Sequence, residues 1–313
     1  MPSDFATYDP AALPPAFGLN NNGALCYMNS FMQALLSCTS FTDAVRASSE
    51  MDATETGRAV KEFVAAAFGP APIATTSRIL IALVNDLQAR KPGALKYFGS
   101  GQQSASEFCD LLLEMIERPG GPTGMDHPVS RLFYHRSRCR VFCRSCEAAG
   151  AKNPGGDEVV DTKSMYFYGH YDGIRPVTSQ EFSENILYHV SPVEDYRCER
   201  CNAKGGALRM YRITFVPEIF ICHFNLYQTR AARYFPLQMR IPSGAGEIPY
   251  RLVGQVEHSG GLGGGHYTAR VERRDAQNRV ATHRANDSAV SAAEFGPSHL
   301  TYILVYHACD RAA

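Results

Sequence analysis

Cys26 stands in a context that can turn a thiol into a nucleophile. It follows the segment GLNNNGAL, and the apolar residues after it recur at three- and four-residue spacing, which predicts an amphipathic helix that begins just after Cys26. Backbone amides and the dipole at a helix start stabilise a thiolate, and the asparagines between the glycines offer donors to an oxyanion. A lone cysteine is also commonly a small buried apolar residue. A nucleophilic role therefore requires a base elsewhere in the chain.

His266 is the best candidate for that base. It follows the alternating segment YRLVGQVEH and the loop SGGLGGG, and Asn286 and Asp287 come twenty residues later between two strand-like segments. A thiol needs an imidazole to take its proton, and the imidazole needs an acceptor that orients it. The segment after the loop predicts a strand, which excludes a phosphate-binding loop because that requires a helix start. The alternative is a flexible hairpin with His266 at a strand end, and His258 is expected to pack behind it.

Two CxxC pairs are the strongest metal-binding signal in the sequence. Cys143 and Cys146 form the first pair, Cys198 and Cys201 form the second, and 51 residues separate the two. Each pair can present both sulfurs from one tight turn, so the four predict a tetrahedral structural Zn²⁺ site. Redox-active dithiols, or one pair that no longer binds metal, are the alternatives. Cys139 could also replace Cys143 as a ligand.

The elements that must position these residues change type near residue 118. Helical periodicity precedes it, and a proline ends the last helix; the predicted helices span 28–36, 60–68, 79–87 and 108–116. Segments rich in Tyr, Phe, Val and Ile follow, with one short helical pattern at 182–190. The predicted strands span 132–142, 164–170, 209–227, 250–258, 267–273 and 301–307. Helices followed by strands predict an α+β fold and not alternating βαβ units.

Composition bounds the class of protein. The 313 residues are 45% apolar, and 31 Lys plus Arg balance 31 Asp plus Glu, so the chain has the composition of a globular protein without a bulk basic footprint for nucleic acid. The longest apolar stretch, 79–84, is too short to span a bilayer. Residues 1–16 predict an extended or disordered arm and not a signal peptide. Ten cysteines then predict thiols and metal ligands in a reducing compartment, the cytoplasm or the nucleus.

Five segments, in order, resemble the ubiquitin-specific protease family of papain-like cysteine proteases. GLNNNGALCYMNSFMQALL is similar to its cysteine box, GQQSASEFCDLLLEMI to its Gln-Gln helix, and YRLVGQVEHSGGLGGGHYTARV to its histidine box. PEIFICHFNLY resembles the palm strand after the second cysteine pair, and RANDSAV followed by TYILVY resembles the segment with the third catalytic residue. The resemblance implies a papain-like hand with a helical thumb, a β-rich palm and zinc-bearing β fingers.

The resemblance also implies a role for each matched residue. Cys26 is the nucleophile and His266 the base; the supporting residues are Asn286, which orients the base, Asn21, an oxyanion-hole amide, and Asp287. The expected substrate-binding residues are Gln102, Ser104, Glu107 and His258, and the expected zinc ligands are Cys143, Cys146, Cys198 and Cys201. One domain is expected over 17–309, with the thumb ending near residue 130 and the fingers near residue 210.

The implied function is a deubiquitinase that cleaves after the terminal glycine of ubiquitin through a thioester. It would use one structural Zn²⁺, ubiquitin as its partner, and neither nucleic acid nor membrane. A protease for another Gly-Gly-tailed modifier and a non-catalytic ubiquitin-binding scaffold are the alternatives. Departures from the family pattern include Leu25 for the usual Thr before the nucleophile, Ser104 for an Asp of the Gln-Gln helix, and Thr282 where a Trp is usual. With Glu107 as the one remaining acid of that pair, Ser104→Asp is expected to strengthen processing of the Arg-containing ubiquitin tail.

Overall fold

The structure is a computed structural model, and it describes residues 9–21, 23–69, 76–92, 103–149, 158–160, 166–167, 174–224, 231–243, 246–261 and 264–309. The α-helices are α1 (Cys26–Leu35), α2 (Thr39–Ala47), α3 (Glu55–Ala67), α4 (Ser77–Arg90), α5 (Ala105–Ile116), α6 (Arg144–Ala148) and α7 (Ser179–Leu187). The β-strands are β1 (Arg136–Cys143), β2 (Glu158–Val160), β3 (Tyr166–Phe167), β4 (Tyr188–Val193), β5 (Ala207–Phe215), β6 (Ile219–His223), β7 (Gln238–Ser243), β8 (Gly246–Gly261), β9 (Gly264–Arg274), β10 (Val280–Asn286), β11 (Ala289–Ala292) and β12 (Thr301–Ala308). Helices lead and strands follow, so the predicted α+β fold is confirmed.

Helix α1 lies at the centre of the protein. All ten of its residues are buried, and it packs on β8 and β9 on one side and on α5 on the other. The close approach to β8 requires a glycine, because a Cβ at Gly254 would lie 2.8 Å from the Cβ of Ala34. On the other side, Phe108 of α5 packs edge to face against Tyr27 and Phe31 of α1. The helix is thus held on both sides.

An eight-stranded sheet carries the strands that surround α1. Seven strands run in the order β11-β10-β9-β8-β12-β6-β3, and β7 pairs with β8 outside this path. Side chains alternate between the two faces of a strand. In β12, Ile303 and Val305 join the core shared with the helices α1 to α5, whereas Leu304 and Tyr306 join the core that contains α7. The sheet therefore separates two hydrophobic cores.

A buried arginine holds the C-terminal end of α1. Arg273 of β9 is 1% exposed, and its guanidinium donates to the backbone oxygen and the Oε1 of Gln33, both at 2.5 Å, and to Ser37 Oγ at 2.8 Å. Burial lowers the pKa of Arg273 to about 9, while the carbonyl end of the helix favours the positive charge. Helix α1 is therefore oriented by β9, the strand that also carries His266.

Four other strands form an antiparallel sheet in the order β2-β1-β5-β4. The predicted helix at 182–190 ends earlier than expected, because α7 ends at Leu187 and the chain turns into β4 at Tyr188. Tyr188 pairs with Arg212 of β5, so pairing with a distant strand overrides the local helical pattern. The sequence also missed α2, whose stretch TSFTDAVRA contains polar and β-branched residues and buries few side chains.

Part of the predicted N-terminal arm lies along the sheet. Leu13 is fully buried, Pro15 forms an isolated parallel bridge with Arg274, and the Arg274 N–H donates to Pro14 O at 3.1 Å. Residues 1–8 of the arm lie outside the described residues. Within the part that is described, none of the helices combines the length and the apolar character that crossing a membrane requires.

Candidate active site and cysteine cluster

The turn before α1 sets the position of Cys26. Gly23 and Ala24 have φ of 114° and 53°, in the left-handed region that glycine adopts freely and alanine rarely. The turn brings the Asn21 side chain back toward the helix start, where its Oδ1 accepts the Leu25 N–H at 2.8 Å. Cys26 is then the first residue of α1, and it is 3% exposed. The asparagine thus holds the backbone directly before the cysteine.

His266 is placed by the hairpin of β8 and β9, in register with Ser259. Glycine is needed directly before it, because a Cβ on Gly265 would lie 2.4 Å from His258 Nε2. His258 is 5% exposed and packs against Tyr267 with ring centroids 4.4 Å apart and the rings tilted by 40°. Burial, and then the charge of His266, lower the pKa of His258. His258 therefore packs behind the hairpin, and a direct role in substrate binding stays a prediction.

Asn286, the last residue of β10, contacts His266. The Nε2 of His266 lies 2.6 Å from Asn286 Oδ1. An amide oxygen only accepts hydrogen bonds, so Nε2 carries the hydrogen, and in the neutral ring Nδ1 is the nitrogen left to accept a proton. The pairing of β9 with β10 fixes this geometry, since Ala285 lies opposite Ala269 in the ladder. The imidazole is held in the tautomer whose Nδ1 can accept a proton.

Asp287 joins this strand end to the loop before α1. Its φ is 48°, and this backbone turn points the carboxylate back at the loop. Oδ2 accepts from Asn21 Nδ2 at 3.0 Å and lies 3.9 Å from His266 Nε2. The backbone oxygen of Asp287 accepts the Leu19 N–H at 2.8 Å. Asn21, His266, Asn286 and Asp287 are thus brought into one group at the start of α1.

Two buried residues that sequence reasoning missed complete this group. Asn29, one turn after Cys26, is 2% exposed and donates from Nδ2 to Asp287 Oδ1 at 2.8 Å. Thr76 is fully buried and donates from Oγ1 to Asn29 Oδ1 at 2.7 Å. A signal for Asn29 was present, namely an amide among the apolar residues of the helix that follows Cys26. Thr76, distant in sequence, gave none.

The expected substrate-binding residues of the Gln-Gln helix surround the start of α5, and Gln102 lies outside the described residues. Ser104 is the N-cap residue, and its Oγ accepts the Ser106 N–H at 3.2 Å and lies 2.9 Å from the Tyr302 hydroxyl. Glu107 is exposed in the first turn. Ser104 therefore ties α5 to β12, while Glu107 faces solvent; binding roles for both stay predictions.

Asp110 adds an acid that the sequence reasoning did not single out. It lies three residues after Glu107, about one helical turn away. Asp110 is exposed, but the protein packed around it, and then the charges of Glu107 and Glu114, raise the pKa of Asp110 to about 6. Glu114 forms an ion pair with Lys91. Helix α5 therefore carries two neighbouring carboxyl groups, Glu107 and Asp110, near its start.

The two CxxC pairs meet in one cluster. The sulfurs of Cys143, Cys146, Cys198 and Cys201 all lie within 4.8 Å of one another. Cys143 Sγ is 3.6 Å from Cys201 Sγ, and Cys146 Sγ is 3.6 Å from Cys198 Sγ. A disulfide would bring two sulfurs to about 2.05 Å. Cys139 lies four residues earlier in β1 and is not a member of the cluster.

The cluster has the chemistry of a metal site. In a tetrahedral site with metal–sulfur bonds of about 2.3 Å, neighbouring sulfurs lie about 3.8 Å apart, close to the 3.6 Å found here. Burial and the neighbouring sulfurs raise the pKa of Cys146 to about 12, whereas backbone hydrogen bonds lower the pKa of Cys198 to about 7 and also lower the pKa of Cys143. Thiolates this close together repel one another. A soft divalent cation would compensate this repulsion. The four cysteines can therefore hold a metal ion.

Proteins of known sequence match most of this chain. Ubiquitin carboxyl-terminal hydrolase 23 of Arabidopsis thaliana is 23% identical over 282 residues, which cover 81% of this chain and 31% of that protein. Ubiquitin carboxyl-terminal hydrolase 36 of Drosophila erecta is 24% identical over 293 residues, which cover 80% of this chain and 25% of that protein. The chain thus spans about a quarter to a third of the length of these relatives.

Solved structures share the fold. The SAGA DUB module of Ubp8, Sgf11, Sus1 and Sgf73 bound to monoubiquitin has a chain with a TM-score of 0.68 and 16% identity, covering 98% of this chain and 71% of that one. The module bound to ubiquitin aldehyde has a chain with a TM-score of 0.65 and 17% identity, which again covers 98% of this chain and 71% of that one. A family model described as ubiquitin carboxyl-terminal hydrolase matches residues 17–306, nearly the whole chain. The chain therefore belongs to the ubiquitin carboxyl-terminal hydrolase family.

Proposed function

We propose that this chain is a cysteine-dependent deubiquitinase in which Cys26 is the nucleophile and His266 the base. The observation that carries the proposal is the hydrogen-bonded group at the start of α1, in which Asn286 Oδ1 holds His266 Nε2 at 2.6 Å and Asp287 holds Asn21 at 3.0 Å. Thiol-dependent acyl transfer needs a cysteine at a helix start and an imidazole fixed in one tautomer. Both are provided here.

In the proposed reaction, Cys26 Sγ bonds to the carbonyl carbon of the terminal glycine as its proton passes to His266 Nδ1. The Asn21 amide donates one hydrogen to Asp287. Its second hydrogen donates a hydrogen bond to the carbonyl oxygen as negative charge develops there. The imidazolium then protonates the leaving amine as the C–N bond breaks, which leaves a thioester on Cys26. A water molecule then gives a proton to His266 as its oxygen bonds to the thioester carbon. The C–S bond breaks, and the proton on His266 returns to Cys26 as the thiol.

Ubiquitin is the substrate with the best support. Structures with this fold are described as bound to monoubiquitin and to ubiquitin aldehyde, and the relatives are named ubiquitin carboxyl-terminal hydrolases. The proposal divides the catalytic domain into a thumb that ends near residue 130, fingers that end near residue 210 and a palm that ends at residue 309. The cytoplasm or nucleus would keep the thiols reduced.

The proposal includes one structural Zn²⁺, held by Cys143, Cys146, Cys198 and Cys201. Four thiolates at tetrahedral spacing are a ligand set that zinc favours. The ion would cross-link the end of β1 to the turn that precedes β5, because Cys143 ends β1 and Cys201 lies shortly before Ala207. It would stabilise the far end of the four-stranded sheet and take no part in bond cleavage.

A ubiquitin probe with an electrophile at its C terminus tests the proposal. The expected result is one covalent adduct, located at Cys26 by intact mass and peptide mapping. Reaction only with a probe made from another Gly-Gly-tailed modifier would replace ubiquitin as the substrate. Binding of ubiquitin without any adduct would contradict the enzyme and favour the scaffold.

Asn286→Ala and Asn21→Ala are both expected to slow turnover while the fold persists. The first releases the His266 ring from its tautomer, and the second removes an oxyanion donor worth about 2.7 to 4 kcal/mol of transition-state stabilisation. Steady-state kcat and KM on a ubiquitin substrate measure both effects. Asn85→Ala is the matched control, because Asn85 bonds Glu55 on the surface of the helical layer. Parent rates in both site variants would remove these residues from the mechanism.

Ser104→Asp is expected to raise kcat/KM for ubiquitin about tenfold, because a charge-assisted bond to a tail arginine contributes roughly 1.5 to 3 kcal/mol. Aspartate is also a good N-cap residue, so α5 keeps its start. Glu107→Ala is expected to lose most of the activity, and Asp110→Asn tests the second acid. The measurement compares kcat/KM for ubiquitin and for a modifier without tail arginines. An equal effect of each variant on both substrates would contradict a role in tail recognition.

A further inference from the structure

A buried asparagine links the helix that begins with Cys26 to the turn that carries Asp287. The Nδ2 of Asn29 lies 2.8 Å from Asp287 Oδ1, 3.3 Å from Asn20 O and 3.5 Å from Leu19 O. One amide therefore contacts the carboxylate and the loop before Cys26 at the same time. These contacts join segments that are 258 positions apart in sequence.

The orientation of this amide is set by a second buried side chain. Thr76 occupies the N-cap position of α4, where a threonine hydroxyl ordinarily accepts a helix N–H. Among the described residues, no such bond is made, and the hydroxyl donates instead to Asn29 Oδ1 at 2.7 Å. Because the amide oxygen is occupied in this way, the amide nitrogen must face Asp287. Thr76 therefore keeps the Asn29 amide in one orientation.

We propose that Asn29 is a positioning residue of the catalytic site, which holds the Asp287 carboxylate between Asn21 and His266. This inference rests on the proposed function. Asp287 Oδ1 is held by Asn29, which leaves Oδ2 to bond Asn21 at 3.0 Å and to face His266 Nε2 at 3.9 Å. Without that bond, the carboxylate can rotate away from both residues.

An amide suits this task better than a cationic side chain. Within the described residues, the side chains that donate to Asp287 are the neutral amides of Asn21 and Asn29. A lysine or arginine would neutralise the carboxylate that it oriented, whereas an amide leaves the negative charge in place. The charge can then stabilise the imidazolium that forms on His266 when Cys26 loses its proton.

Asn29→Ala is expected to lower kcat about 10- to 100-fold with KM changed by less than about threefold, because the variant misplaces catalytic groups without touching the substrate. Rates are expressed per active site after titration with the ubiquitin probe, so a smaller fraction of folded protein does not lower the measured kcat. Ser30→Ala is the matched control, because Ser30 is equally buried on the same helix and bonds only the Tyr27 backbone oxygen among the contacts described. Equal kcat values for the two variants would overturn the inference.

An exchange of the two partners tests the bond itself. Asn29→Asp alone places two carboxylates in contact and is expected to be slower than Asn29→Ala. The double variant Asn29→Asp with Asp287→Asn restores a donor and an acceptor in reversed order and removes the contact between two carboxylates, so it is expected to be faster than Asn29→Asp. It is expected to stay slower than the parent, because the charge beside His266 is lost and the backbone oxygens of Asn20 and Leu19 lose their donor. Thr76→Val, which keeps the shape of the side chain, is expected to lose about threefold to tenfold. A double variant no faster than Asn29→Asp would contradict a role through Asp287.

Alkylation of Cys26 by iodoacetamide keeps this inference separate from the proposed substrate. The reaction needs no ubiquitin, and peptide mass spectrometry follows Cys26 individually among the ten cysteines. Asn29→Ala is expected to slow it about tenfold at neutral pH, and Ser30→Ala to leave it unchanged. A parent that ignores ubiquitin probes while Asn29→Ala slows alkylation would refute the function and keep the positioning role. A parent that reacts with the ubiquitin probe, together with unchanged alkylation of Cys26 in Asn29→Ala, would keep the function and refute the positioning role.

Discussion

The Cys26→Ser variant is expected to lose hydrolysis of ubiquitin conjugates by a factor on the order of 10⁴ or more, because a neutral hydroxyl replaces the thiolate nucleophile. Serine has nearly the same shape as cysteine and fits a site that is 3% exposed at the first residue of α1. The fold is therefore expected to persist. The loss then belongs to the chemistry of the sulfur and not to unfolding.

Two measurements check this result on one preparation. Release of a fluorophore from the ubiquitin C terminus gives the rate, and intact mass after incubation with the electrophilic probe gives the adduct. Cys139→Ser is the matched control, since Cys139 lies in β1 outside the cysteine cluster, and it is expected to retain parent activity. A covalent adduct on Cys26→Ser would place the nucleophile at another residue.

Loss of the metal is expected to have the largest effect on stability. Structural Zn²⁺ contributes roughly 10 to 16 kcal/mol of apparent binding free energy in zinc-finger peptides, and here it would join two turns separated by the whole insertion between the CxxC pairs. Cys198→Ser removes a fully buried member of the cysteine cluster. The four-stranded sheet is therefore expected to open before the eight-stranded sheet, which has its own two cores.

Elemental analysis and hydrogen exchange measure this result. The parent is expected to hold one zinc per chain, and Cys198→Ser to hold much less and to lose amide protection in β1, β4 and β5. Protection in β8, β9 and β12 is expected to remain, together with alkylation of Cys26. Cys139→Ser is again the control. Purified parent without zinc but with full activity would remove the ion from the proposal.

Local pattern was sufficient for the main helices and for the most distinctive residues. Segment 79–87 lies within α4, and segment 60–68 follows α3 to its last residue and ends one residue beyond it, because their apolar spacing matches the face that each helix buries. The two CxxC pairs were evident because both ligands of each pair come from one short turn. The family, too, was indicated by short segments in order, and the match over 17–306 confirms it.

The elements that were missed depend on distant partners. The pattern at 182–190 runs across two elements, and only pairing with β5 turns its last residues into β4. The sequence favoured Cys143 as a metal ligand but left Cys139 as a possible replacement. The end of β1 at Cys143 separates them, because Cys139 is held in mid-strand opposite Tyr211, away from the second pair.

The sequence by itself determined the elements that local periodicity encodes, the candidate pair Cys26 and His266, and the four cysteines. Only the tertiary structure decided which side chains meet around them. Asn21 reaches Asp287 across 266 positions, and Thr76 reaches Asn29 across 47. Such hydrogen bonds depend on how α1 seats on β8 and β9 and on the register of β9 with β10. The residue spacing within one segment predicts neither the position of α1 nor this register, because both arise from the packing of the two hydrophobic cores.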